Sequence, residues 1–194
     1  MQYPLFETIA IEQGKIQNIQ LHQMRYEHSL SLYYANRAYR IFDLEKILQK
    51  STALLALQSQ HNLIRCRINY NYDSYQIQCF PYMRKHYHHF QPIISDNIDY
   101  QLKYTDRHIF DNLLKQKNNC DEIIIIKNGC VTDCSIGNLI FKKDEQWFTP
   151  DTPLLIGTQR TKLLSEKKIK ERRIRLEDIG DFEEIRIINA MNPL

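Results

Sequence analysis

The run Glu122-Ile123-Ile124-Ile125-Ile126-Lys127, closed by Asn128-Gly129, constrains this chain more than any other feature. β-Branched side chains crowd the backbone of a helix but fit an extended strand. Successive strand residues point to opposite faces, so consecutive isoleucines need apolar cover on both sides of a sheet. Ile123 to Ile126 is therefore expected as a fully buried strand, and Asn128-Gly129 as the turn that sends the chain back through Cys130 to Asp133.

Around this strand the pattern alternates between periods. Phe6 to Leu21 reads as a β-hairpin about Gln13-Gly14, and Leu63 to Tyr70 with Tyr75 to Tyr82 as a second hairpin across Asn71-Tyr72-Asp73-Ser74. Between them, residues His22 to Tyr39 carry Met24, Leu30, Leu32 and Tyr33 at helical spacing, and Asp43 is expected to cap a helix running through Leu57. Periodicity fails from Met83 to Asn97, where Pro92 and the crowded His86, His88 and His89 occur. This divides the chain into a smaller N-terminal lobe, 1–85, a linker of about 86–97, and a C-terminal lobe, 98–194. The second lobe is expected to hold a short strand Tyr100 to Lys103, a helix Asp106 to Lys117, the buried strand and its return, and strands Asn138 to Lys142 and Gln146 to Thr149. A helix opening at Gly157-Thr158, a charged strand, a short helix near Glu177-Asp178 and a last strand Ile185 to Asn189 complete it.

Composition excludes several classes. The net charge of +3 is too small to imply a nucleic-acid partner. The basic cluster Lys167, Lys168, Lys170, Arg172, Arg173, Arg175 is interrupted by Ile169 and Ile174 in the manner of a solvated strand. No apolar run approaches the ~20 residues of a membrane span, and the N-terminus lacks a secretory pattern, so the chain reads as cytoplasmic. The five cysteines are scattered, with Cys66 and Cys79 as fillers in apolar strands and no zinc spacing at Cys130 and Cys134. His86, His88 and His89 lack carboxylate or thiol companions, and no metal site is expected. With only five glycines there is no G-x-G-x-x-G loop.

Four places offer chemistry. Lys103, at the end of a short strand, is where an amine can project into a cleft and become a Schiff-base former once its environment lowers its pKa. Asp133 ends a buried strand, where a carboxylate needs a cation or hydrogen-bond donors, or else terminates the strand and caps a turn with Ser135. Gly157-Thr158-Gln159-Arg160 suits a helix N-terminus that meets an anion, or an ordinary helix start. Arg25, three residues after His22, can clamp a phosphate or simply lie exposed on its helix.

The order of these segments resembles the class IV aminotransferases, the pyridoxal-phosphate (PLP) enzymes of fold type IV. The likeness is carried by Leu5-Phe6-Glu7-Thr8-Ile9, Leu21-His22-Gln23-Met24-Arg25, Lys103-Tyr104-Thr105-Asp106-Arg107, Asp121-Glu122, Val131-Thr132-Asp133-Cys134-Ser135, Asn138 and Pro153 through Arg160. It spans almost the whole chain. The resemblance implies a mixed α/β (α+β), two-lobed fold similar to D-amino-acid aminotransferase, with a shortened N-terminal lobe, since the strands that precede Phe-Glu-Thr in the family are absent. It implies pyridoxal 5'-phosphate as cofactor, Lys103 as Schiff-base lysine, and Arg25, Ser135, Thr158 and Gln159 as cofactor-binding residues. Asp133 stands where the family has a glutamate facing the pyridine nitrogen. His108 stands where branched-chain enzymes carry a tyrosine, and the Gly-Arg-Gly-Tyr stretch of many aminodeoxychorismate lyases is not found around Asn71 to Tyr75. The implied activity is that of an aminodeoxychorismate-lyase-like enzyme acting on a small amino substrate. A D-amino-acid or branched-chain-type aminotransferase and a non-catalytic PLP-binding protein are the alternatives. A homodimer is implied too, with the apolar strand edge near Phe6 to Ile11 available for a partner to cover.

Overall fold

The computed structural model describes residues 2–194. The chain forms two compact units, one made of the residues through Arg84 joined by Leu102–Thr105, the other of Lys85–Gln101 and Asp106–Leu194.

The first unit is an antiparallel sheet covered by helices. β1 (Leu5–Glu12), β2 (Lys15–Ile16), β3 (Leu63–Tyr70) and β4 (Tyr75–Pro81) lie in the order β2-β1-β3-β4. The hairpin about Gln13-Gly14 forms as expected, with both residues at positive φ, but its second arm is two residues long. Asn18 adopts a left-handed conformation and α1 (Ile19–Tyr33) begins. Its buried stripe is Ile19, His22, Tyr26, Ser29 and Leu30, whereas Met24, Leu32 and Tyr33 of the expected apolar face are exposed. The expected helix from Asp43 through Leu57 is two helices. Asp43 caps α2 (Leu44–Gln49) by accepting from Lys46 N, and Ser51 caps α3 (Thr52–Gln58) by accepting from Leu54 N. A second N-cap inside a helical pattern ends the first helix because its backbone takes the extended conformation that a cap requires. Leu5, Ile9, Ile11, Tyr26, Leu30, Leu48, Ile68 and Leu102 share the core of this unit.

The second unit contains the isoleucine run. β5 (Phe90–Ile94), β6 (Glu122–Lys127) and β7 (Cys130–Val131) form one sheet, with β6 parallel to β5 and antiparallel to β7. The four isoleucines of β6 are at most 1% exposed, as the pattern requires. β8 (Asn138–Lys143), β9 (Gln146–Pro150), β10 (Lys170–Arg172) and β11 (Glu184–Ile188) form the other sheet in the order β10-β9-β8-β11. Ile124, Ile126, Val131, Leu139, Phe141 and Ile187 join the two sheets in one core. α4 (His108–Leu114), α5 (Thr158–Ser165) and a 3-10 helix (Leu176–Asp181) complete the unit.

Three expectations are corrected here. Residues 86–97 are not a linker, since they belong to the second unit and supply β5. Pro92 sits on that strand opposite Ile124, and proline is tolerated there because β5 is the edge of its sheet. The edge of β1 near Phe6 to Ile11 is covered at its two ends. Phe6 N donates to Lys103 O, Gln17 N donates to Ala10 O, and β2 pairs with Ile11 and Glu12. The segment expected as strand Tyr100 to Lys103 is no regular strand. It contributes Leu102–Thr105 to the first unit, where Tyr104 bridges Leu5.

Candidate active site

Within the first unit the site begins with a charge that the strand buries. Glu7 lies in the middle of β1, wholly covered, with Ile68 of β3 opposite it. Such a carboxylate requires donors, and α1 supplies them from one face, since residues three apart on a helix are neighbours. Arg25 Nε donates to Glu7 Oε1 at 2.9 Å and Arg25 Nη2 to Oε2 at 2.6 Å, while His22 Nδ1 lies 2.7 Å from Oε2. Burial alone would raise the Glu7 pKa, but the Arg25 charge and the hydrogen bonds from His22 and Arg25 outweigh it and hold the carboxyl at about 2. Burial pushes the His22 pKa below its ordinary value against the opposing pull of Glu7, and the charges of Arg25 and Lys103 push the same way. His22 is thus a neutral ring donating Nδ1–H to a carboxylate.

The same unit contains Lys103. Phe6 N donates to Lys103 O at 3.0 Å and Thr105 N to Pro4 O at 2.8 Å, so 103–105 run beside the start of β1. The lysine Nζ stands 4.8 Å from the centroid of the Phe6 ring, and the Arg67 guanidinium 3.7 Å from that centroid. A cation over an aromatic face is attracted by the ring quadrupole, which orients the Lys103 side chain. The unit therefore brings together Lys103 and Arg25, two residues picked from sequence, with Glu7 and His22, which were read only as parts of motifs. The signal for Glu7 was present, as a charge inside the apolar stretch Leu5–Ile11.

The second unit holds the remaining candidates. Asp133 forms an isolated bridge with Asn138 across the turn Cys134–Gly137. Asp133 Oδ1 accepts from Asn138 Nδ2 at 2.7 Å, and Oδ2 accepts from Leu154 N at 2.9 Å and Leu155 N at 3.0 Å. Burial raises its pKa, and the bonds from Leu155, Asn138 and Leu154 with the Arg160 charge only partly offset this, leaving it at about 6. A carboxylate offers about four acceptor sites, so three bonds leave one, on Oδ1. Asn138 Nδ2 also donates to Leu155 O at 2.9 Å, and its Oδ1 would lie 2.1 Å from a Cβ on Gly157. Only glycine fits there. Gly157 opens α5 without a side-chain cap, and Thr158 and Gln159 of its first turn are buried.

Ser135 does not join this group. Its hydroxyl donates to Glu122 Oε2 at 2.8 Å and its carbonyl accepts from Arg107 Nη2, so the hydroxyl hydrogen is already committed to Glu122. His108 is exposed at the start of α4, where its N–H donates to Asp106 Oδ1. The unit also has an open cavity of about 780 Å³ bordered by Asp96, Asp99, Lys127 and Arg173. There Lys127 donates to Ile98 O and Arg173 pairs with Asp151. Among the described residues no cluster of three His, Cys, Asp or Glu is arranged to hold a metal ion, and no helix is long and apolar enough to cross a membrane.

Each unit by itself holds groups suited to a phosphorylated pyridine aldehyde: the first a primary amine and an arginine aligned by a carboxylate, the second a glycine-led helix start and a buried carboxyl with one acceptor site left.

Comparison with known proteins agrees with this architecture. An uncharacterised protein of Haemophilus influenzae Rd is 60% identical over 192 residues, covering 99% of this chain and 100% of its own. A crystal structure of a Haemophilus somnus 129PT protein, provisionally described as a 4-amino-4-deoxychorismate lyase, matches with a TM-score of 0.94 at 58% identity, covering 100% of this chain and 99% of that one. The PLP-bound form of a hypothetical aminotransferase from Mycobacterium tuberculosis has the same fold, with a TM-score of 0.75 at 14% identity over 99% of this chain and 79% of its own. The model of the amino-transferase class IV family matches residues 4–194. The chain therefore belongs to the class IV aminotransferases.

Proposed function

We propose that the protein is a PLP-dependent enzyme that acts on 4-amino-4-deoxychorismate or a close relative by elimination, with Lys103 as the residue that holds the cofactor and moves the substrate proton. The observation that carries the reading is the placement of Lys103 Nζ over Phe6 in the unit that also holds the buried Glu7–His22–Arg25 cluster. The high identity to the Haemophilus somnus protein supports the choice of substrate.

When bound, PLP supplies an electron sink that makes the α-proton of an amino substrate acidic. The chain's own residues divide the remaining work. Arg25, with Nε and Nη2 engaged by Glu7, would meet a phosphate as a guanidinium whose orientation is fixed by that pair. In the second unit, Gly157, Thr158 and Gln159 would offer a phosphate the start of α5. Asp133 would accept a hydrogen bond from a protonated ring nitrogen at Oδ1, and its ties to Leu154, Leu155 and Asn138 hold it back from any other role. Lys103 Nζ would accept the α-proton and pass it to the departing group, which leaves with the electron pair of the bond that breaks.

The test has two parts. Borohydride reduction of the PLP-loaded protein followed by peptide mapping should place the label on Lys103, and a label on any other lysine removes the assignment. Product analysis then separates the chemistries. After elimination the amino group stays on the product ring, whereas transfer moves it to an added 2-oxo acid and points to a D-amino-acid or branched-chain-type aminotransferase.

A further inference from the structure

We propose that Cys66 and Cys79 form a reversible disulfide site, closed by a low-molecular-weight disulfide such as oxidised glutathione. The register of β3 and β4 sets Cys66 directly opposite Cys79. Hydrogen-bonded pairs occur where Asn71 N donates to Ser74 O and where Tyr82 N donates to Leu63 O. Such pairs alternate along an antiparallel ladder, which makes Cys66 and Cys79 a non-hydrogen-bonded pair. Cα atoms at such a pair are about 4.5 Å apart, at the short end of the range of about 4.4–6.8 Å that a disulfide spans. The bond can close without moving the strands. The two sulfurs lie 2.7 Å apart, nearer than unbonded thiols pack and approaching the roughly 2.05 Å of a disulfide.

The two thiols are not equivalent. Cys66 is fully covered in the core, while Cys79 is half-buried on β4, the outer strand of its sheet. A hydrogen bond from Cys66 lowers the Cys79 pKa against the effect of burial, and the same bond, together with burial, raises that of Cys66. Cys79 is thus the attacking thiolate. It attacks one sulfur of the small disulfide, whose S–S bond breaks and releases one thiol. Cys66 then attacks the Cys79 sulfur, its proton passing to the departing second thiol. Two protein thiols are oxidised and one small disulfide is reduced to two thiols. Read from sequence, these cysteines were separate core fillers, and only the strand register makes them a pair.

The experiment exposes the native full-length protein to excess oxidised glutathione, then alkylates it under denaturing conditions and maps the peptides. The expected result is two fewer alkyl groups than the five of the reduced protein, a mass lower by two hydrogens, a peptide linking Cys66 to Cys79, and full recovery with dithiothreitol. Cys66→Ser should instead accumulate glutathione on Cys79. In the parent that mixed disulfide should appear and then decay, a readout that stands even if the buried substitution fails to fold. Full alkylation of both residues after oxidation, a link to another cysteine, or a mixed disulfide that persists in the parent would overturn the proposal.

Discussion

Glu7 carries its charge where water cannot reach it, and its environment makes that charge a source of stability. Its folded pKa of about 2 lies below the ordinary 4.5, so the contribution is fully present above pH 4.5 and is lost as the pH falls towards 2. The difference corresponds to about 3 kcal/mol. Glu7→Gln leaves Arg25 and His22 facing a neutral amide, and the variant should lose roughly 3–5 kcal/mol at neutral pH, the usual cost of breaking a buried pair. Urea denaturation across pH checks this, and the variant should also show a shallower loss of stability between pH 4.5 and 2. Unchanged stability would mean that Glu7 is no anchor for Arg25. Asp133 has the opposite sign. Its folded pKa of about 6 lies above the ordinary 3.8, so its favourable contribution is present below pH 3.8 and lost as the pH rises through 6. Carboxyls with a destabilising charge of this kind cluster at functional sites. Asp133→Asn should therefore retain PLP, followed by the absorbance of the bound cofactor, while its single-turnover rate falls by about 10²–10³-fold, the scale seen when one preorganised electrostatic partner is removed. If the variant reacts as fast as the parent, Asp133 serves only to tie down Leu154 and Leu155.

Elements carry these residues to their places, and the tightest junction among them is the start of α5. A Cβ at position 157 would lie 2.1 Å from Asn138 Oδ1, and Asn138 is itself bound to Asp133 and Leu155. Gly157→Ala must push Asn138 aside, with an expected loss of about 1–3 kcal/mol from overpacking and weaker retention of PLP. Thermal unfolding and cofactor titration read both effects, and a variant with parental Tm and PLP affinity would show that the junction yields freely. Elements with one strong local signal were legible in the sequence. β6 followed from its isoleucines, the β3–β4 hairpin from alternation around Asn71 to Ser74, and the turn at Asn128-Gly129 from residue type. β5 stayed hidden because Pro92 reads as a breaker until its place on a sheet edge is known. The buried stripe of α1 was misread because it includes His22 and Ser29, whose burial depends on partners outside the helix.

At the scale of the whole molecule, the chain divides into two units, and Leu102–Thr105 returns to the first after the chain has entered the second. That return sets Lys103 beside β1. A homodimer remains an expectation from family membership, since the chain's own residues cover both ends of the β1 edge near Phe6 to Ile11. Light scattering at working concentrations should give twice the mass of 23.3 kDa, and a clean monomer would count against that expectation. By itself the sequence determined the kinds of elements, most of their order, and the family, since hydrophobic period, turn residues and motif spacing are local properties. The tertiary structure alone decided which charges and thiols meet. Glu7 reaches Arg25 across 18 residues, Cys66 reaches Cys79 across 13, and Asp133 reaches Leu154 across 21. The physical reason is that such partnerships depend on strand register, helix docking and burial, each set by the packing of segments distant in sequence and encoded in no single segment.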